Sequence, residues 1–333
     1  ITLSNLVSGE ALNHSGTATI GSANAGSYTI TNLSGISIAD GSGGTASNYT
    51  LTGGTHNFTV NRRAVSVSGT RLYDATTNAV ASDLSTHANL VGSETLNLSG
   101  TGTIASKNVG SNKTVSVGTL ALADGSNGGL AANYTLSGGT HQLTVNQRPL
   151  NATLARQYDG TTTAAGSDLS SFDALQGGET LTMTGSGTAA SANVANGIAM
   201  SSNGTLALAD GTGLASNYSL NSTVINIAQR VLNSSGSKTY DANTDALAGA
   251  ITLSNLVSGE ALNHSGTATI SSANAGSYTI TNLSGISIAD GSGGTASNYT
   301  LTGGTHNFTV NRRAVSVSGT RLYDATTNAV ASD

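Results

Sequence analysis

The stretch Lys113-Thr114-Val115-Ser116-Val117-Gly118-Thr119-Leu120-Ala121-Leu122-Ala123-Asp124-Gly125 decides the fold class. Val115 and Val117 alternate with polar residues, and Leu120 and Leu122 alternate with small ones. A period of two puts one set of side chains inward and the other into water, which is the pattern of a half-buried strand. The inward set changes parity across Gly118-Thr119. A one-residue shift flips every side chain to the other face, so a bulge or bend belongs there. Asp124-Gly125 is a turn dipeptide. Working outward, Val65-Ser66-Val67-Ser68, Leu96-Asn97-Leu98 and Leu143-Thr144-Val145 alternate in the same way. Branched residues inside and Ser, Thr or Asn outside suit an antiparallel sheet that is wet on one face. Around the opening stretch the pattern predicts strands over 64–73, 95–104, 113–118, 119–123, 133–137 and 141–147, with a shorter segment at 84–91. Turns fall at Ser99-Gly100, Asn108-Val109-Gly110 and Gly138-Gly139. Asp83 is a fair N-cap, which leaves one helical turn open to 83–91.

Composition taken alone suggests disorder. Of the first 83 residues, 44 are Ser, Thr, Asn or Gly, and only 9% of the 333 residues are charged. The regularly spaced branched residues answer that reading, because disordered chains lack them. Collagen is excluded by a single proline, Pro149, and by the absence of a glycine triplet period. With no cysteine there is neither a disulfide framework nor a thiolate zinc site. A net charge of −5 with 12 basic residues excludes the dense basic surface that nucleic-acid binding needs. No apolar run approaches the length of about 18–20 residues that spans a membrane.

The opening stretch belongs to a repeat. Tyr-Asp recurs at Tyr73-Asp74, Tyr158-Asp159, Tyr240-Asp241 and Tyr323-Asp324. Asn-Tyr recurs at Asn48-Tyr49, Asn133-Tyr134, Asn217-Tyr218 and Asn298-Tyr299, and Ala-Asp-Gly at 39–41, 123–125, 209–211 and 289–291. The four glutamates, Glu10, Glu94, Glu179 and Glu260, occupy one equivalent position. Residues 251–333 repeat 1–83 with one difference, Ser271 for Gly21. With boundaries set at the arginines, 62–147, 148–229 and 230–311 are complete modules. Residues 1–61 then form a module lacking its first strand, and 312–333 the start of a further one, as expected of a window on a longer array. The expected architecture is a tandem array of β-sandwich (Ig-like) modules of about 83 residues forming an elongated rod, with β-grasp-like modules as the alternative. Leu143 to Leu150 runs between modules without a glycine-serine spacer, so stiff coupling is expected. Strands of 10–12 residues give modules about 35–40 Å long.

The signature [Arg/Lys]-x-Tyr-Asp-[Gly/Ala]-x-Thr stands as Arg71 to Thr77, Arg156 to Thr162, Lys238 to Thr244 and Arg321 to Thr327. Gly-x-Glu-x-Leu, Ala-x-Asn-Val-Gly and Ala-x-Asn-Tyr-x-Leu follow it. Together these resemble the YDG/MBG-type repeats of large bacterial surface adhesins of the filamentous-haemagglutinin kind, exported by two-partner secretion. Only Gly160 supplies the glycine of the motif; alanine stands at 75, 242 and 325. The resemblance implies an extracellular or cell-surface stalk, attachment or biofilm formation, and repeats without enzymatic activity.

Each candidate site has a structural reading beside the functional one. Adjacent strand residues face opposite ways, so Tyr73 and Asp74 do not both face the core. Arg71 shares a face with Tyr73, which allows the guanidinium to lie across the ring. Tyr73, Tyr158, Tyr240 and Tyr323 are expected to anchor packing, and Asp74, Asp159, Asp241 and Asp324 to cap the following turn. The functional alternative is sugar stacking. Asp40, Asp124, Asp210 and Asp290, with the glutamates, are weak calcium candidates, because each Asp-Gly stands alone instead of in an Asp-x-Asp run. Turn formation is the expected role, and no cofactor is required. His56, His141 and His306 have no counterpart in the third copy, which has Ser222-Thr223-Val224 there, and no Gly-x-Ser-x-Gly elbow occurs. Lys107, Lys113 and Lys238 are too unevenly placed for a repeated isopeptide crosslink. Sequons at Asn13, Asn48 and Asn133 are expected from composition. The expected function is a structural spacer, and the expected partners are neighbouring modules. Weak binding of extracellular polysaccharide by each repeat is the alternative, as is head-to-tail assembly into a fibre by strand complementation.

Overall fold

The structure, a computed structural model, describes residues 1–332 of the chain. It is all-β, about 48% strand in curled sheets, and among the described residues the only helical pieces are three-residue 3-10 turns. The chain divides into two compact units. The first comprises Ile1–Pro149, Ala174–Thr180 and Thr212–Ser219; the second comprises Leu150–Asp173, Leu181–Gly211 and the chain from Leu220 onward.

The first unit holds a six-stranded sheet in the order Asn78–Val80, Thr101–Ile104, Gly110–Ser116, His141–Asn146, Ser66–Leu72, Thr86–Ala88. Neighbours are antiparallel except at the centre. There His141–Asn146 runs parallel to Ser66–Leu72, with His141 opposite Val67 and Asn146 opposite Leu72. The two strands are 74 residues apart, so this pairing closes the repeat on itself. Leu96–Ser99 and Ala121–Asp124 form a separate antiparallel ribbon. The core follows from the alternation: Val67, Leu143 and Val145 are buried from the main sheet, Leu96 from the ribbon, and Val65, Leu84 and Leu120 from the segments that flank these strands. Each such side chain contributes about 1.5–3 kcal/mol by leaving water. The same unit contains the smaller sheet Thr19–Ile20, Gly26–Asn32, Asn57–Val60 and the ribbon Asn13–Gly16 with Ile36–Ala39.

The parity change at Gly118-Thr119 is where the chain leaves the main sheet for the ribbon. Gly118 takes φ +55° and Gly100, across from it, φ +84°. A Cβ on Gly100 would stand 2.1 Å from the Thr119 carbonyl oxygen, so both strands bend at glycine. The expected single strand 95–104 is therefore two, in different sheets. The expected 113–118 begins earlier, at Gly110, and 133–137 shrinks to Tyr134–Thr135, paired in parallel with Arg63–Ala64. Segment 84–91 supplies the strand Thr86–Ala88, and Asp83 ends the 3-10 turn Ala81–Asp83 whose N-cap is Val80. Asp83 therefore caps no helix: an edge slot beside Ser66–Leu72 captures the segment as a strand.

The second unit holds two such sheets. One has the order Thr163–Ala165, Ser186–Ala189, Ala195–Ser202, Tyr218–Ala228, Arg148–Gln157, Leu169–Phe172. The other runs Asp245–Leu247, Leu262–Ile270, Gly276–Asn282, His306–Asn311, Asn233–Thr239, Ile251–Ser254. In the latter, Asn233–Thr239 again lies parallel to His306–Asn311. Leu154, Ile225, Ile227 and Leu232 are buried in one core cluster, and Ile270, Phe308 and Val310 in another.

The tyrosine–glutamate junction as candidate functional site

The signature tyrosine sits one residue past the first strand of its repeat. Tyr73 N–H donates to the Asn146 carbonyl at 2.9 Å, Tyr158 N–H to Ala228 at 2.9 Å and Tyr240 N–H to Asn311 at 2.8 Å. Each tyrosine is thus pinned to the end of its repeat's last strand. The next residues form a tight loop. Asp74 Oδ1 accepts the Thr76 N–H at 2.9 Å, and Asp159, Asp241 and Asp324 do the same for Thr161, Asn243 and Thr326 at 2.9, 3.2 and 3.0 Å. The basic residue three positions earlier ion-pairs with each aspartate, as in Arg71–Asp74, Arg156–Asp159 and Lys238–Asp241. Arg71 also donates to the Thr76 carbonyl at 2.6 Å. The stacking of Arg71 on Tyr73 that a shared face allowed is not formed: the strand ends at Leu72, and the loop carbonyl and Asp74 claim the guanidinium. The cation over the Tyr73 ring is Lys107, with Nζ 5.9 Å from the centroid.

That loop aims Tyr73 into the following repeat. Tyr73 Oη donates to Glu179 Oε1 at 2.6 Å, and Tyr218 Oη donates to Glu179 Oε2 at 2.9 Å. The two rings meet edge to face, 5.3 Å between centroids at 78°. The next junction reproduces this. Tyr158 and Tyr299 donate to Glu260 Oε1 and Oε2, both at 2.6 Å, with rings 5.4 Å apart at 80°. The hydroxyl of the second tyrosine also accepts a backbone N–H from the loop before the glutamate, Gln176 to Tyr218 at 3.1 Å and Val257 to Tyr299 at 3.0 Å. One carboxylate therefore joins two aromatic anchors from consecutive repeats, with charge-assisted bonds on both oxygens.

An asparagine clip lies beside each clamp. Asn217 Oδ1 accepts the Val109 N–H at 2.9 Å and its amide donates to Asn108 Oδ1 at 3.0 Å. Asn298 does the same with Val194 and Asn193, both at 2.9 Å, and Asn133 with Ala25 and Asn24 at 2.8 and 3.0 Å. Each of these asparagines ends a 3-10 turn and precedes the Asn-Tyr tyrosine, which for Asn217 and Asn298 is the second tyrosine of a clamp. The turn is anchored by the Ala-Asp-Gly aspartate: Asp40, Asp124 and Asp290 accept the N–H of Ala46, Ala131 and Ala296 at 2.7, 2.8 and 2.7 Å. Asp210 precedes the equivalent turn, Ala215–Asn217. Among the described residues, no group of three or more His, Cys, Asp or Glu is placed to hold a metal ion. His56, His141 and His306 each bond a loop carbonyl five residues back, that of Leu51, Leu136 and Leu301.

Electrostatics follow the geometry. Burial disfavours the charged form of Glu179, but hydrogen bonds from Lys107, Tyr73 and Tyr218 outweigh it and hold the carboxyl below its ordinary range. Burial, with the adjacent carboxylate, pushes the Tyr218 and Tyr299 phenols up to about 12. Lys107 is raised by its 2.6 Å bond to Glu179. Ala192 takes its place in the next copy, so the second clamp has no lysine.

The four signature tyrosines thus divide. Tyr73 and Tyr158 are buried in clamps, whereas Tyr240 and Tyr323 are exposed. The pairing of Glu179 and Glu260 with tyrosines more than 100 residues away was not read from the sequence. Its one trace there is that glutamate, Asn-Tyr and Tyr-Asp recur with the same period. A model of the YDG domain matches residues 55–144, 142–225 and 228–308. The chain belongs to the YDG domain family. A comparison with curated proteins returned no match. The YDG glycine position has a backbone reason. Ala75, Gly160, Ala242 and Ala325 take φ of +63°, +77°, +65° and +58°, the left-handed region that glycine enters freely.

Proposed function

We propose that these YDG repeats are structural spacers: stalk modules of an extracellular bacterial adhesin that hold a distal binding region away from the cell surface in attachment and biofilm formation. The observation that carries this reading is the tyrosine–glutamate clamp. Tyr73 and Tyr158 are spent on the next repeat instead of being displayed to a ligand, and a buried polar joint resists bending between neighbours. Low charge, absence of cysteine and the resemblance to exported adhesin repeats support an extracellular setting and two-partner secretion. In this reading 62–147, 148–229 and 230–311 are the modules, and the repeats catalyse no reaction. Parallel pairing of the first and last strands supports the β-grasp-like alternative over an Ig-like sandwich, whose sheets are antiparallel.

Small-angle scattering of the chain tests the proposal. Modules of about 35–40 Å joined end to end give a radius of gyration of about 40 Å. A compact single body of this length has about 20 Å, and that value would overturn the reading. Polysaccharide binding that grows with repeat number would favour the glycan-binding alternative.

A further inference from the structure

One core position changes chemistry from repeat to repeat. Six residues before Tyr73, Tyr158 and Tyr240 stand Val67, Ala152 and Ser234, and they face His87, Phe172 and Leu253 across an antiparallel edge pairing. Phe172 and Leu253 pack against buried core clusters. Val67 is fully buried, and side chains opposite one another in a sheet share a face. His87 therefore puts an imidazole where the other repeats put a hydrocarbon. Its Nε2 is buried and has no hydrogen-bond partner among the described residues. The strand that carries it, Thr86–Ala88, is three residues long and holds to Ser66–Leu72 by the pairs Ser66–Ala88, Val67–His87 and Ser68–Thr86. Beyond it the chain runs to Val91, whose N–H donates to Tyr134 Oη at 3.0 Å, and to Glu94, which accepts that hydroxyl.

We infer that Thr86–Ala88 is an acid-released strap: a proton on His87 detaches this strand from Ser66–Leu72 and frees the segment that leads to Glu94, in this repeat and not in the one that follows. The ring's backbone hydrogen bond is at Leu96, so the second proton falls on Nε2, where it meets no acceptor. An unpaired cation in an apolar place is relieved when the strand leaves the sheet. Burial already holds the His87 imidazole below its ordinary 6.5, against the Leu96 hydrogen bond, which favours the charged form. Charged groups on the neighbouring elements are committed elsewhere. Arg71 pairs with Asp74, Arg63 donates to the Asn89 carbonyl, and Asp124, opposite Leu96 in the ribbon, accepts the Ala131 N–H. Asp83 is pushed up by burial, so its own protonation favours the folded state in acid and opposes release. His141 faces the row from the far side of Val67 with both nitrogens engaged: Nδ1 accepts the Val67 N–H at 3.4 Å, and Nε2 lies 2.9 Å from the Leu136 carbonyl. His87 is thus the group of this row whose proton has nowhere to bind.

Native-state hydrogen exchange between about pH 7.5 and pH 5, corrected for the intrinsic pH dependence of exchange, tests this. A group lowered on folding stabilises above its ordinary value and loses that contribution as pH falls through the folded one. Each pH unit in that interval raises the opening constant by up to about tenfold. The expected result is about a 10-fold rise at Thr86–Ala88 on going to pH 5, with Leu169–Phe172 unchanged, because residues 148–229 contain no histidine. His87→Phe removes the rise, and His141→Gln, which keeps one donor and one acceptor, leaves it. Magnetic-resonance titration of the unaltered chain needs no variant, and the His87 imidazole should ionise below 6.5. Opening at Thr86–Ala88 that is flat with pH, that rises equally at Leu169–Phe172 or in His87→Phe, or that His141→Gln abolishes overturns the inference. So does a His87 imidazole that ionises at or above 6.5. A strap indifferent to pH leaves the spacer proposal standing, because that proposal rests on the tyrosine–glutamate clamps.

Discussion

Replacing each signature tyrosine by phenylalanine separates a local packing role from a joint between repeats. Tyr158→Phe keeps the ring, its edge-to-face contact with Tyr299 and its burial, and removes only the hydroxyl that donates to Glu260 at 2.6 Å. A hydrogen bond to a charged acceptor is worth about 1.5–3 kcal/mol, and the partner carboxylate stays in place with one donor fewer, so the expected loss is about 2 kcal/mol. Tyr73→Phe removes the equivalent bond to Glu179 and costs a similar amount, lessened by the remaining Lys107 contact. Tyr240 carries the same Tyr-Asp signature and backbone bond but is exposed, so Tyr240→Phe changes stability by less than about 0.5 kcal/mol. Arrays of repeats unfold piecewise, so a global unfolding energy is a poor readout. Native-state hydrogen exchange reads each repeat separately. Around Val257 and Tyr299 a loss of 2 kcal/mol appears as about 30-fold faster exchange in Tyr158→Phe. Equal effects at Tyr158 and Tyr240, or none at Tyr158, would refute the assignment of the signature tyrosine to the joint.

Two further outcomes follow from the same geometry. Ala75 occupies the left-handed region at φ +63°, which costs an L-residue about 1–2 kcal/mol, while glycine gives back part of that through unfolded-state entropy; Ala75→Gly should therefore stabilise its repeat by about 0.5–1 kcal/mol. Gly160→Ala should destabilise by about 2 kcal/mol, since its Cβ would add that strain and stand 2.9 Å from Val257 Cγ1; native-state hydrogen exchange of the affected repeats should shift in opposite directions for the two variants. The joint also carries a pH signature. Glu179, held below its ordinary value of 4.5, contributes stability that is present above that value and lost as pH falls below it through the lower folded-state value. Tyr218 and Tyr299, raised from 10.0 to about 12, contribute stability that is complete below pH 10 and lost as pH rises to 12. The free energy of local opening at the joint, read by native-state hydrogen exchange after correction for the intrinsic pH dependence of exchange, should be flat between these limits and fall outside them. Phenolate absorbance showing Tyr218 and Tyr299 ionised by pH 10 would contradict the clamp.

Much of the fold was legible because alternation is local. Val115 and Val117 against Leu120 and Leu122 announced two strands and the bend between them, and Gly118 with φ +55° is that bend. Strand partners were less legible. The parallel union of Ser66–Leu72 with His141–Asn146 joins the ends of a repeat, and neither strand's own residues name the other. The partner of Arg71 was not legible because parity reasoning holds only while a strand continues, and this one stops at Leu72. The clamp escaped for a stronger reason. A hydroxyl–carboxylate bond imposes no spacing rule comparable to metal ligation or a catalytic triad, and Glu179 and Glu260 find their partners over 106 and 102 residues. Recurrence at one period was the only mark it left. Tyrosine also serves packing and hydrogen bonding at once, so its core role concealed its joining role.

Stiff coupling of consecutive repeats through the clamp is the central claim, and the absence of cysteine makes it directly measurable. Thr184→Cys and Ser265→Cys place two spin labels at exposed, equivalent positions of neighbouring repeats joined by Tyr158, Glu260 and Tyr299. Double electron–electron resonance should give one narrow distance distribution that broadens when Glu260→Ala removes the carboxylate. A distribution already broad in the unaltered clamp, or a narrow one that Glu260→Ala leaves unchanged, would contradict the account.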